Sequence, residues 1–96
     1  MLDSTYLLVT VRTPKRIDCC TAPFLAQDLA ARVQEGADII LDLNQTQFID
    51  PDGAKVIIEG LKQAKEHHVS FSLKGVKPQV QVILEIAGIL QHFRKK

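Results

Sequence analysis

Short apolar runs alternate along the chain with stretches whose apolar residues recur every third or fourth position. Tyr6-Leu7-Leu8-Val9-Thr10-Val11 is β-branched and apolar until Thr13-Pro14-Lys15 breaks it, which predicts a strand. Its near-continuous apolar character predicts burial on both faces. Thr21 is placed to cap a helix, with Pro23 in the first turn. Leu25, Leu29 and Val33 then recur at helical spacing against Gln27, Asp28, Arg32 and Gln34, and Gly36 ends the run. Ile39-Ile40-Leu41-Asp42-Leu43 is the clearest strand. Phe48-Ile49 closes the connection after it. Asp50 as N-cap and Pro51 at the first helical position open a second helix. Ala54, Ile57, Ile58, Leu61 and Ala64 form its apolar stripe, and Lys55, Glu59, Lys62, Gln63 and Lys65 face water. Val69-Ser70-Phe71-Ser72-Leu73 alternates as a half-exposed strand does. After Gly75 and Pro78, a third helix carries Val80, Ile83, Leu84 and Ala87, with Gly88 as its stop. The tail Phe93-Arg94-Lys95-Lys96 is expected to fray.

The order β-α-β-α-β-α requires crossover connections, which give parallel pairs and a right-handed, layered α/β domain with a thin sheet. Residues 1–96 form a single domain, because a chain of 96 residues closes around one core and buries roughly two-thirds of its unfolded surface. A large cofactor cradle or deep catalytic cleft does not suit that size. Twelve Lys and Arg against eleven Asp and Glu give a net charge of +1, so the basic footprint of a nucleic-acid binder is missing. At 46% hydrophobic residues the chain is not a disordered one. Its start has no basic segment followed by an apolar one, and its apolar runs are far shorter than the ~20 residues of a membrane span. The expected location is the cytoplasm, without direct membrane insertion.

The only cysteines, Cys19 and Cys20, are adjacent. Neighbours seldom form a disulfide without strain, and two thiols alone do not complete a zinc site. They read as reduced, part-buried thiols. His67-His68 ends the second helix, where protonated histidines complement the helix dipole. Five scattered glycines make no phosphate loop, and no Gly-x-Ser-x-Gly elbow occurs. No cofactor or metal is expected.

The most informative segment is Phe48-Ile49-Asp50-Pro51-Asp52-Gly53-Ala54, which follows a strand and opens a helix. A helix N-terminus offers unpaired N–H groups and partial positive charge, so it stabilises anions. Taken alone, Asp50 caps this helix and Asp52 complements its dipole. An acid/base carboxylate pair would need a cleft and unequal environments, and no neighbouring nucleophile or metal set supports one.

These residues, with Ile39-Ile40-Leu41-Asp42-Leu43 before them, resemble the centre of a STAS domain, the family that includes bacterial anti-sigma-factor antagonists. Its signature is a strand ending in Leu-Asp-Leu, a loop, then Phe-(Ile/Met)-Asp-Ser-(Ser/Thr)-Gly opening a helix. Ile17-Asp18 through Thr21-Ala22 is similar to the family's segment before the first helix. Val69 to Leu84 is similar to its last strand, Val-x-Pro turn (Val76-Lys77-Pro78) and following helix. Ile86-Ala87-Gly88-Ile89 stands where the family has a Leu-Thr-Gly-Leu-like sequence. The resemblance runs from about Tyr6 to Phe93 and implies a mostly parallel sheet with helices packed on it. It also implies function by binding. In the family, the Ser or Thr before the glycine is phosphorylated by a GHKL-type serine kinase that is also the anti-sigma factor. The added charge of about −1.5 to −2 breaks the complex.

Here Asp52 stands at the phosphoacceptor position and Pro51 at the preceding serine, whereas Asp50 matches the family aspartate. Asp52 cannot accept a phosphoryl group from a serine kinase and carries one permanent charge. Three readings follow: a locked mimic of the phosphorylated state, a phosphorylation-independent binder, or a subunit with another partner. The expected binding surface is Asp50, Pro51, Asp52 and Gly53, flanked by Asp18, Cys19, Cys20, Thr21 and the loop 44–47, with Asp52 presenting fixed charge to the partner and Gly53 permitting close approach. The expected function is a non-catalytic regulatory module whose partner is an anti-sigma factor, a GHKL-type serine kinase or another regulatory protein. The alternatives are an accessory subunit of an ABC-type lipid transport system and, more distantly, a small carboxylate-dependent enzyme. Relative to the family, the sequence also reads as short at both ends, lacking the first strand and last helix. Uncovered edges and patches invite pairing, which predicts a homodimer or an obligate partner.

Overall fold

The computed structural model describes residues 7–93. The start of the first predicted strand at Tyr6, the missing first strand and the frayed tail at 94–96 concern residues outside that range. In chain order the elements are β1 (Leu8–Arg12), β2 (Arg16–Ile17), α1 (Ala22–Gln34), β3 (Asp38–Asp42), β4 (Phe48–Ile49), α2 (Pro51–Glu66), β5 (Phe71–Lys74), α3 (Pro78–Ile86) and α4 (Leu90–Phe93). The main sheet is parallel throughout, in the order β1-β3-β5. Each crossover carries one helix, and right-handed crossovers in this order place both helices on one face. Accordingly α1 packs against α2 and both rest on the sheet.

Side-chain alternation decides the two faces. Val11, Ile39, Leu41 and Phe71 point to the helices and are buried with Leu29, Val33, Ile57 and Leu61. The opposite face carries Thr10, Arg12, Ser72 and Lys74, all exposed. Leu8 lies on that face too and is 54% exposed. The expectation that the first strand is buried on both faces is therefore corrected. Among the described residues, helices cover one side only, and the apolar run misled because Leu8 points to the other side.

The third strand runs over 71–74 rather than 69–73. Val69 and Ser70 instead complete the turn from α2, where the Val69 amide donates to the Ala64 carbonyl (3.0 Å) and the Ser70 amide to Asp38 Oδ1 (2.8 Å). Gly36 and Gly88 both adopt positive φ just beyond α1 and α3, as expected of helix stops. Past α3 the chain turns into α4. Val82, Ile86 and Leu90 there form an exposed apolar row at spacing of four, with Ile86 78% exposed.

A second, two-stranded ladder, β2 with β4, is parallel as well, in the register Arg16↔Phe48 and Ile17↔Ile49. It was not anticipated. Its bracing comes from the connections beside it. The buried hydroxyls of Thr13 and Thr46 are in hydrogen-bond contact, and Thr46 Oγ1 donates to the Pro14 carbonyl (2.6 Å). Gln45 Nε2 donates to the Thr13 carbonyl (2.7 Å), and Lys77 Nζ to the Asn44 carbonyl. Such long-range bonds fix where the 44–47 loop releases the chain into α2.

Candidate functional site

The β2–β4 ladder aims two helix entries at the same place. One residue past the Ile17↔Ile49 pair, Asp18 leads to α1 and Asp50 leads to α2. The Asp50 amide continues the pairing by donating to the Ile17 carbonyl (3.1 Å). Asp50 has extended backbone, and its Oδ1 accepts from the Gly53 amide (2.8 Å), so it caps α2 as expected. Pro51 follows at the first helical position, where its lacking N–H costs nothing.

Gly53 is buried, and the reason is steric. A Cβ at this position would stand 2.5 Å from the Ile17 carbonyl oxygen, 2.7 Å from Ile17 Cγ2 and 3.0 Å from Ile49 Cγ1. The close approach that Gly53 permits is between α2 and the β2–β4 ladder of its own chain. The absence of a side chain at Gly53 thus serves packing within the chain.

The entry to α1 differs from its expected form. Thr21 occupies the N-cap position, but its hydroxyl accepts from the Asp18 amide (2.9 Å) and donates to the Arg16 carbonyl (2.9 Å), with no bond to the helix. Asp18 does the local work instead. Its Oδ1 accepts from the amides of Cys20 (3.0 Å) and Thr21 (3.2 Å), and Arg16 Nε lies 3.6 Å from Oδ2. The Cys20 amide is the chief reason the Asp18 carboxyl sits below the ordinary aspartate range; partial desolvation opposes it, and Thr21 and Arg16 assist. Arg16 in turn lies over the Phe48 ring, 4.5 Å from its centroid.

Cys19 and Cys20 are free and exposed, which corrects the part-buried expectation. The loop projects them outward from the α1 entry. The Cys19 thiol is pushed up, first by the charge of Cys20 and by a hydrogen bond with it, then by desolvation and by Asp18 and Asp50. Cys19, Ala22 and Pro23 from the α1 side and Asp52, Lys55 and Val56 from α2 line a groove of about 350 Å³. It adjoins, through Lys55 and Val56, a hollow of about 240 Å³ lined in part by Leu29 and Gly60.

Of the residues expected to form the site, Pro51 and Asp52 are exposed to a partner, and Asp18, Thr21 and Asp50 are half-buried and bonded within their own turns. Arg16, Phe48 and Lys55 join the surface unanticipated. Two-residue strands leave no periodic trace in a sequence, so nothing there placed Arg16 against Phe48. Chemically, the surface offers a fixed carboxylate on a well-formed helix start, with Lys55 one turn on. The Asp52 charge already occupies the favourable field of the helix N-terminus. What the arrangement can do is present charge and hydrogen-bond acceptors to another macromolecule.

Comparison with known proteins agrees in sequence and in fold. The family model described as the STAS domain matches residues 2–96. The chain is 31% identical over 78 residues to the putative anti-sigma factor antagonist BtrV of Bordetella bronchiseptica, covering 80% of this chain and 67% of that protein. It is 25% identical over 81 residues to the anti-sigma-B factor antagonist of Bacillus subtilis, covering 84% of this chain and 74% of the relative. The solved structure of the anti-sigma factor antagonist SpoIIAA in its unphosphorylated form superposes with a TM-score of 0.72 at 14% identity, over 88% of this chain and 79% of that one.

Proposed function

The chain belongs to the STAS domain family, and we propose on that premise that it acts as an anti-sigma-factor antagonist: a non-catalytic, cytoplasmic protein that works by binding an anti-sigma factor. Two relatives carry that function in their names, one of them as putative. Among the described residues, no helix is long and apolar enough to cross a membrane.

One observation carries the finer reading. Asp52 is exposed on the first turn of α2 while the cap at Asp50 and the packing at Gly53 are complete without it. The carboxylate is thus exposed to a partner, and replacing it leaves the Asp50 cap and the Gly53 packing in place. It occupies the position at which phosphorylation resets other family members, yet it carries one charge where phosphate brings nearly two. Lys55, three positions along, lines the same groove and sets a positive charge on that surface. We read the surface as a phosphorylation-independent binder whose engagement with a GHKL-type anti-sigma factor is not undone by ATP.

Binding of the purified protein to such a factor, with and without ATP, tests this. A stable complex in both conditions is expected, and Asp52→Ala is expected to weaken it about tenfold, equivalent to about 1.4 kcal/mol. Tighter binding by Asp52→Ala would identify Asp52 as a locked inhibitory charge and overturn the reading.

A further inference from the structure

The adjacent thiols stand apart from everything the binding surface has used so far. Cys19 and Cys20 are adjacent in the chain, both exposed and both free. They occupy the turn that delivers the chain into α1, and Cys19 shares a groove with Asp52. We propose that Cys19 and Cys20 are a modification site, a vicinal dithiol that low-molecular-weight disulfides close into an intrachain disulfide, and that closure reshapes the α1 side of the groove facing Asp52.

The chemistry balances without a cofactor. The thiolate of one cysteine attacks a sulfur of a small disulfide RSSR, forms a mixed disulfide and expels RS⁻. The neighbouring thiol loses its proton to solvent and displaces the second RS⁻. Two protein S–H groups and one RSSR become one protein S–S bond and two RSH; the protein loses two electrons and two protons, and RSSR is reduced. Most of the entropy of meeting is already met, since the two cysteines are joined by a single peptide bond.

Geometry gives the closed form its character. Cα atoms across one trans peptide are about 3.8 Å apart, below the roughly 4.4–6.8 Å of ordinary disulfides. Closure must therefore twist the peptide between them. That peptide carries the Cys20 amide, which donates to Asp18 Oδ1 (3.0 Å) and is the main hold on the Asp18 carboxylate. The Thr21 amide bond to the same oxygen (3.2 Å) follows in the chain. Closing the dithiol pulls on both and moves the entry that positions Cys19, Ala22 and Pro23 along the groove. A strained, exposed disulfide is also readily reduced, which suits a reversible modification and not a structural staple. The Cys19 thiol, pushed up by its neighbours, supplies little thiolate, and this slows an attack from Cys19. The pair thus answers a sustained shift of the disulfide pool.

The effect on a partner rests on the antagonist reading above, so the experiment separates the two. Reduced protein is incubated with oxidised glutathione and followed by intact mass and by amide hydrogen exchange. The expected product is a monomer lighter by two hydrogens, with faster exchange at Cys20 and Thr21. Cys19→Ser and Cys20→Ser should each take up one glutathione instead. Phenylarsine oxide should bridge both thiols, one per chain, only where both cysteines are present. Stable glutathione adducts on the unsubstituted protein, interchain dimers, or closure with unchanged exchange at Cys20 and Thr21 would overturn the proposal. With an anti-sigma factor present, the closed form should bind about tenfold more weakly than the reduced form, and equal binding would overturn the effect on the groove. Failure of the reduced protein to bind any such factor would defeat the antagonist reading and leave the mass and exchange results to decide the dithiol.

Discussion

Gly53 and Ile17 meet so closely that a single added carbon would not fit: a Cβ on Gly53 falls 2.5 Å from the Ile17 carbonyl oxygen. That contact joins the start of α2 to the β2–β4 ladder. It fixes the height at which the first turn, with Pro51 and Asp52, emerges from the protein. Backbone on one side and the fully buried Ile17 side chain on the other leave no flexible atom to yield.

Gly53→Ala should therefore destabilise the protein, although alanine is the better helix former by up to ~1 kcal/mol. Overpacking of this kind costs about 1–3 kcal/mol. Urea denaturation would read it as a lower midpoint at unchanged slope. A midpoint at or above that of the unsubstituted protein would mean that α2 is free to lift away from β2.

Asp50 acts on the same turn by a hydrogen bond and not by packing. Asp50→Ala leaves the Gly53 amide without its acceptor and should cost about 1 kcal/mol, within the usual 0.5–2 kcal/mol for a lost cap. Asp50→Asn keeps an acceptor oxygen and should recover most of the loss. Equal stability of the two variants would show that the cap contributes nothing.

Much of this was legible in the sequence. The three long strands, three helices and parallel order followed from apolar spacing, and Asp50-Pro51 marked the start of α2 correctly. The crowding of Gly53 by Ile17 and Ile49 was not legible, because it depends on how the β2–β4 ladder meets α2. The β2–β4 ladder was not legible, because two residues carry no period and its pairing depends on bonds from Thr46 and Gln45 that reach back more than thirty positions. For the same reason the Arg16–Phe48 contact was unforeseen. Thr21 misled because Thr and Asp are both good caps, and only the geometry shows Asp18 holding the turn. Leu8 misled because apolar character says nothing of whether a second layer is there to cover it.

The loop brace offers a third stability test. Thr46→Val keeps the shape but removes the hydroxyl that donates to the Pro14 carbonyl and meets Thr13. Leaving buried polar groups unpaired costs about 1–3 kcal/mol. Thr46→Ser, which keeps the hydroxyl, should retain more stability than Thr46→Val by urea denaturation; the reverse order would mean that the methyl group, and not the hydrogen bond, holds the loop.

Acid should weaken the fold through two carboxylates. Asp18 and Asp42 both sit below the ordinary aspartate range, held chiefly by the backbone amides of Cys20 and Asn44 respectively. A carboxyl depressed in the folded state adds stability that is present above its unfolded pKa, about 3.9 for aspartate, and is lost as pH falls through the folded value. Urea midpoints should thus hold above that pH and decline below it. The pair of substitutions Asp18→Asn and Asp42→Asn should flatten the decline. An unaltered acid limb in the double variant would remove these two groups from the account.

The central claim is that Asp52 makes a surface that binds its partner without a phosphate switch. The most direct measurement incubates a GHKL-type anti-sigma factor and ATP with the unsubstituted protein and with Asp52→Ser, following both phosphate incorporation and complex stability. The unsubstituted protein should gain no phosphate and stay bound, whereas Asp52→Ser should gain one phosphate at position 52 and be released. Phosphorylation or ATP-dependent release of the unsubstituted protein, or indifference of Asp52→Ser to ATP, would contradict it.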